Sequence, residues 1–106
     1  MERRRFARVE LHKVVALSSD GEKYLEAQCI DLGEGGIGCI SSQPVEQSTR
    51  IYLIVGIPEG EKVREIQTEG GVVWVERKDD KYEFGVAFDQ LSEADASTLR
   101  SFVSGA

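Results

Sequence analysis

Six short runs of strand-forming residues, each closed by a turn signal, leave this chain few ways to fold. Residues 9–17 are apolar and β-branched, and Ser18, Asp20 and Gly21 follow them as a turn. Residues 24–30 alternate, with Leu25, Ala27 and Cys29 on one face and Glu26 and Gln28 on the other. The stretch 31–36, DLGEGG, reads as a tight, glycine-dense turn. A strand resumes over 37–40, and 41–46, which contains Pro44, reads as a loop. The run 49–57, TRIYLIVGI, carries the strongest strand pattern, and Pro58, Glu59 and Gly60 end it. Residues 63–76 form a long strand in which Gly70 and Gly71 predict a bulge or bend. KDDK at 78–81 is a hairpin turn, and Phe84, Val86 and Phe88 share one face of 82–88.

Only the last segment changes period. Leu99, Phe102 and Val103 recur at helical spacing. Ser92 and Asp95 form a variant of the capping box, with Asp where Glu or Gln is usual. The spacing predicts one short amphipathic helix over about 93–104. Six strands and one helix place the chain in the all-β class, as a barrel or a sandwich. A closed barrel also removes exposed strand edges, and the helix then caps one side of it.

The chain has 106 residues, the size of one domain, and 41% hydrophobic residues supply an ordinary core. Nineteen acids against thirteen bases give a net charge of −6. That excludes broad binding to the DNA or RNA backbone, which needs a basic surface. No apolar run approaches the roughly 18 residues of a membrane span, and no signal-peptide core follows the N-terminal arginines. A soluble, cytoplasmic domain with no membrane contact is expected. Cys29, Cys39 and His12 are too few for a four-ligand zinc site without acidic help. The cysteines read as inert core residues, and His12 as an exposed strand residue. No nucleophile–base pair, metal set or phosphate-cleaving motif is present, so no catalytic residue is assigned. Trp74, the only tryptophan, reads as a largely buried strand residue; the alternative is a stacking wall for a ligand.

Charge is unevenly spread. Residues 1–13 hold five bases and two acids, a net +3, whereas the rest hold eight bases against seventeen acids, a net −9. Such an arm is either a solvated tail resting on the acidic body or a clamp for a compact anion. The string at 33–38, GEGGIG, fits the dinucleotide pattern G-x-G-x-x-G, but a strand follows where that motif needs a helix. The local chemistry remains: glycines let backbone N–H groups approach an anion, and Asp31 beside them accepts hydrogen bonds. The alternative is a plain hairpin turn in which Asp31 bonds its own backbone.

Arg4 and Arg8 stand as R-x-x-x-R, and D-L-G-E-G-G begins 23 residues after Arg8. GGIGCI at 35–40, RIYLIVGIP at 50–58, GGVVWV at 70–75 and YEFGVAFDQL at 82–91 follow in order. This set resembles the PilZ domain, the bacterial receptor module for cyclic di-GMP, whose pattern is R-x-x-x-R followed by [DN]-x-S-x-x-G. The resemblance covers nearly the whole chain. It implies a single domain over 1–106, a six-stranded antiparallel β-barrel with a C-terminal helix. It also implies a flexible basic arm over residues 1–9 that wraps the ligand against the barrel.

The ligand chemistry suits these residues. Guanine offers O6 and N7 to an arginine fork, and the same fork pairs with phosphate or stacks on flat rings. The resemblance implies that Arg4 binds a guanine edge or phosphate, and that Arg8 binds phosphate and anchors the arm. Arg3 and Arg5 flank them and grip a second half of the ligand, bound singly or as an intercalated dimer. Asp31 takes the acidic position facing guanine N1–H and N2–H₂, and Gly36 is the glycine that keeps the turn tight. Gly33 occupies the place of the family serine, so one hydroxyl is missing. A hydrogen bond to a charged group is worth roughly 1.5–3 kcal/mol, so its loss weakens binding about 10- to 150-fold unless a backbone N–H or water replaces it. Two functions are therefore expected as alternatives. One is a cyclic di-GMP receptor that signals to an unidentified protein partner by ordering its arm. The other is a degenerate adaptor that no longer binds the nucleotide and acts through protein contacts.

Overall fold

The structure, a computed structural model, describes residues 8–20, 22–89 and 91–105, with the backbone alone for residues 8–14 and Gly105. Six strands appear: β1 Arg8–Ser18, β2 Leu25–Gly33, β3 Gly36–Ser41, β4 Arg50–Glu59, β5 Lys62–Lys78 and β6 Lys81–Phe88. The helix α1, Glu93–Gly105, follows them. The strands close into a barrel in the order β1-β2-β3-β6-β5-β4, every pairing antiparallel. Closure leaves no strand without neighbours on both sides, which answers the edge problem posed by so many short strands.

Strand alternation fills the interior. Val15, Leu17, Ala27, Cys29, Leu53, Val55, Ile57, Phe84 and Val86 all point inward and are buried. Cys29 and Cys39 face each other across β2 and β3, both buried and not joined in a disulfide, as expected of core residues. His12 lies in β1 where the register with β2 shifts; its side chain is outside the described residues.

Two local expectations are corrected. The glycine-dense stretch 31–36 is not all turn: β2 runs on to Gly33, and Glu34 and Gly35 alone form the turn. The reason is a bulge between Cys29 and Asp31, where the register against β3 shifts. The extra residue, Ile30, turns Asp31 to the outer face and returns Leu32 to the core. The second correction concerns β5. Gly70 and Gly71 pair in register with β4 and β6, and the bulge lies between Val72 and Trp74. Gly70 serves close approach instead, because a Cβ there would run into the Ala87 carbonyl.

Strand β4 extends past Ile57 through Pro58, which sequence alone places after its end. Its bonds to β1 involve only Tyr52 to Ile54, so the far end of β4 pairs on one side and tolerates a proline. Helix α1 packs against β4 and β2 there. Leu99 enters the core at 1% exposure, with Phe102 packed beside it. The cap is the expected one: the Asp95 backbone N–H donates to Ser92 Oγ at 3.1 Å. Arg64 donates to Asp95 at 3.0 Å and the Thr98 hydroxyl to Glu59 at 3.1 Å, fixing the helix to the β4–β5 hairpin. Elsewhere on the barrel a recess of about 530 Å³ opens between Leu17, Leu25, Val45 and Ile51.

Candidate functional site

Four adjacent strands contribute one row of outward positions. Across the barrel wall Asp31 pairs with Gly38, Gly38 with Gly85, and Gly85 with Trp74. The two middle members have no side chain, and the outer two lie down over them. A Cβ on Gly38 would sit 2.7 Å from Asp31 Oδ1, and one on Gly85 would strike the Trp74 indole nitrogen. Glycine at 38 and 85 is therefore what lets a carboxylate and an indole rest against the wall. Asp31 is half-buried and Trp74 is 42% exposed. The result is a shallow acid-and-indole face with no side chain from β3 or β6 standing on it.

This corrects the expectation that Trp74 is largely buried. Period-2 alternation from Val72 places Trp74 inward, but the bulge at Val73 inserts one residue and moves the indole outside. Gly38 is a functional candidate that sequence reasoning missed, and Trp74 fits the stacking wall that the sequence offered only as the alternative. Nothing in the sequence marks the Val73 bulge. Gly85 did carry a signal, since a glycine inside an alternating strand marks a close approach.

The β2–β3 hairpin supplies the second part of the site. A Cβ on Gly36 would meet the Val86 carbonyl of the neighbouring strand, so the turn closes this tightly only with glycine. The Phe88 N–H donates to the Gly35 carbonyl at 3.0 Å and ties the turn to β6. The side chain of Glu34 leans toward α1, 3.5 Å from the Arg100 guanidinium.

Of the residues expected in the site, Asp31, Gly33 and Gly36 come together on this hairpin. Arg8 opens β1 with its backbone directly opposite Gly33. Its side chain is outside the described residues, as are Arg3, Arg4 and Arg5 entirely. The pairing nevertheless brings the end of R-x-x-x-R to the glycine turn, although 23 residues separate Arg8 from Asp31.

Electrostatics divide the surface. Beyond the hairpin, Arg50 bonds both Asp89 and Glu69 (to the latter at 2.9 Å), which raises its pKa and holds Asp89 below the usual carboxylate range. In the β1–β2 turn, Asp20 accepts from the backbone of Glu22 and Lys23 and from the Ser18 hydroxyl, and its pKa is lowered for that reason. These acids are occupied in structure. Among the described residues no group of three or more His, Cys, Asp or Glu side chains can hold a metal ion. No described helix is long and apolar enough to cross a membrane.

A family model described as "PilZ domain" matches residues 2–105. Among solved structures, the inhibitor of motility MotI/DgrA of Bacillus subtilis superposes with a TM-score of 0.87 at 19% identity, covering 99% of this chain and 51% of that one. The PilZ domain of YcgR from Escherichia coli with c-di-GMP gives 0.74 at 16% identity, covering 97% and 91%. The Borreliella burgdorferi PlzA protein in complex with c-di-GMP gives 0.70 at 17%, covering 95% and 41%. The chain thus spans about half the length of MotI and less of PlzA. At these identities the likeness concerns the fold. Compared with curated proteins, the chain has no match.

Proposed function

Because this chain belongs to the PilZ domain family, we propose that it is a cyclic di-GMP receptor that holds the ligand against the outer face of β2, β3, β6 and β5. The observation that supports this reading is the backbone pairing of Arg8, the last residue of R-x-x-x-R, with Gly33 at the glycine turn. Two solved relatives, PlzA and the YcgR PilZ domain, hold c-di-GMP.

In this reading Arg4 and Arg8 take guanine edge and phosphate with their planar forks, and Arg3 and Arg5 grip a second guanine or a second ligand of an intercalated pair. Asp31, whose carboxylate lies over Gly38, accepts from guanine N1–H and N2–H₂. Trp74 offers an indole face for a purine to stack on, worth roughly 1–3 kcal/mol by analogy with other base–aromatic stacks. Gly33 and Gly36 bring backbone close to phosphate, while Gly33 supplies no hydroxyl.

Binding is the whole of the activity proposed; no turnover of the ligand is assigned. The domain, read as a single unit of residues 1–106 in the cytoplasm, signals by ordering its basic arm, residues 1–9, and presenting a changed surface to a partner protein. Gly33 favours a second reading, an adaptor that has lost the nucleotide and works through protein contacts alone. Calorimetric titration with cyclic di-GMP separates the two. Saturable binding that disappears in the double variant Arg4→Ala/Arg8→Ala, with the barrel still folded by circular dichroism, supports the receptor. No heat at several temperatures supports the adaptor.

A further inference from the structure

Helix α1 delivers a cation to the hairpin that carries the binding motif. Leu99, buried at 1% exposure, fixes the rotation of the helix, and the next residue is Arg100. Its Nε lies 3.5 Å from Glu34 Oε1, and its terminal nitrogen donates to Glu93 Oε1 at 3.1 Å. Glu34 is the first residue of the two-residue turn, directly after Gly33. Among the arginines whose side chains are described, Arg64 is bound to Asp95, and Arg50 to Glu69 and Asp89; Arg77 sits over Tyr82. Arg100 alone of these four reaches the β2–β3 turn.

We propose that Arg100 is a further ligand-binding residue, which leaves Glu34 for a phosphate of the bound dinucleotide and stands in for the hydroxyl that Gly33 lacks. The inference rests on the receptor reading above. Three features support it. The Arg100 side chain is 49% exposed, so its present ion pairs are of the solvent-screened kind that change partner at little cost. A guanidinium fork meets two phosphate oxygens at once, a better match than its single contact with Glu34. The turn itself offers backbone but no side-chain donor at 33, 35 or 36, since all three are glycine. In the free protein Glu34 then acts as a built-in competitor, an anion that occupies Arg100 until a phosphate displaces it.

Two roles for the ion pair give opposite patterns. If Arg100 binds the ligand and Glu34 competes, removing each changes affinity in opposite directions. If the pair only shapes the turn, removing either weakens binding. The experiment is calorimetric titration of the full chain and four variants with cyclic di-GMP, each variant checked by thermal melting. Expected are about tenfold weaker binding for Arg100→Ala, an intermediate loss for Arg100→Lys, and three- to tenfold tighter binding for Glu34→Gln. Unchanged affinity in Arg100→Ala, or weakening in both Arg100→Ala and Glu34→Gln, overturns the role of Arg100 while leaving the receptor reading intact. The fourth variant, Arg4→Ala/Arg8→Ala, reports on that reading separately. No binding by the unaltered chain overturns both.

Discussion

The two faces of the β2–β3 hairpin use the same residues in alternation and do opposite work. On the inner face Cys29, Leu32, Ile37 and Cys39 are buried to within 1% exposure and close on Phe84. Volume matters there. On the outer face the neighbouring positions are Asp31 and Gly38, continued by Gly85 and Trp74, where side chains are thinned out and those that remain are polar or flat. A close-packed interior penalises any change of volume, whereas an open wall penalises only changes that block what lies on it. A change on the outer face can therefore weaken the proposed binding without weakening the fold.

The largest test of that separation is Phe84→Ala. The ring is fully buried, so its truncation should cost about 3–5 kcal/mol in a urea unfolding curve. That is a large share of the stability of a domain this size. Asp31→Ala should do the reverse. It should weaken cyclic di-GMP binding about 10- to 150-fold, the worth of a charge-assisted hydrogen bond, while the unfolding midpoint moves little. Trp74→Ala should lower affinity by about fivefold or more, and in the unaltered chain the ligand should quench the fluorescence of this single indole. Gly38→Val is the sharpest of the outer-face variants in kind, since it adds only carbon. Its Cβ lands 2.7 Å from Asp31 Oδ1, so affinity should fall several-fold through displacement of the carboxylate. A stability loss above about 2 kcal/mol with affinity intact would erase the distinction between the faces.

The smallest expected effect concerns pH. The folded-state pKa values of Asp20 and Asp89 are depressed, Asp20 first by the backbone N–H of Glu22 and Asp89 first by Arg50. A depressed carboxylate stabilises the fold above its unfolded pKa and ceases to do so as pH falls through its folded pKa. Thermal melts should therefore be flat near neutrality and fall modestly between about pH 5 and pH 2. Asp89→Asn should flatten part of that decline.

Much of this molecule was legible in its sequence, and the misread faces of its strands share one cause. The alternation in 24–30 and 82–88 placed Cys29 and Phe84 inward, and the helical period placed Leu99 in the core. The motif residues Asp31, Gly33 and Gly36 do meet on one hairpin. Among what the pattern missed are two bulges, at Ile30 and Val73. A bulge is a mismatch between two strands, so neither strand's own residues announce it. Each flips the alternation beyond it. The first carries Asp31 outward and extends β2, and the second exposes Trp74. The contact of Arg100 with Glu34 depends on how α1 docks on the barrel, which no local pattern specifies.

The most direct test of the account is a titration of the isotopically labelled chain with cyclic di-GMP, followed by amide and indole NMR shifts. Saturable shifts are expected at Asp31, Gly33, Gly36, Gly38 and Gly85 and at the Trp74 indole N–H, with the amides around the recess at Leu25 and Val45 unmoved. Shifts gathered at that recess, or none at any ligand concentration, would contradict it.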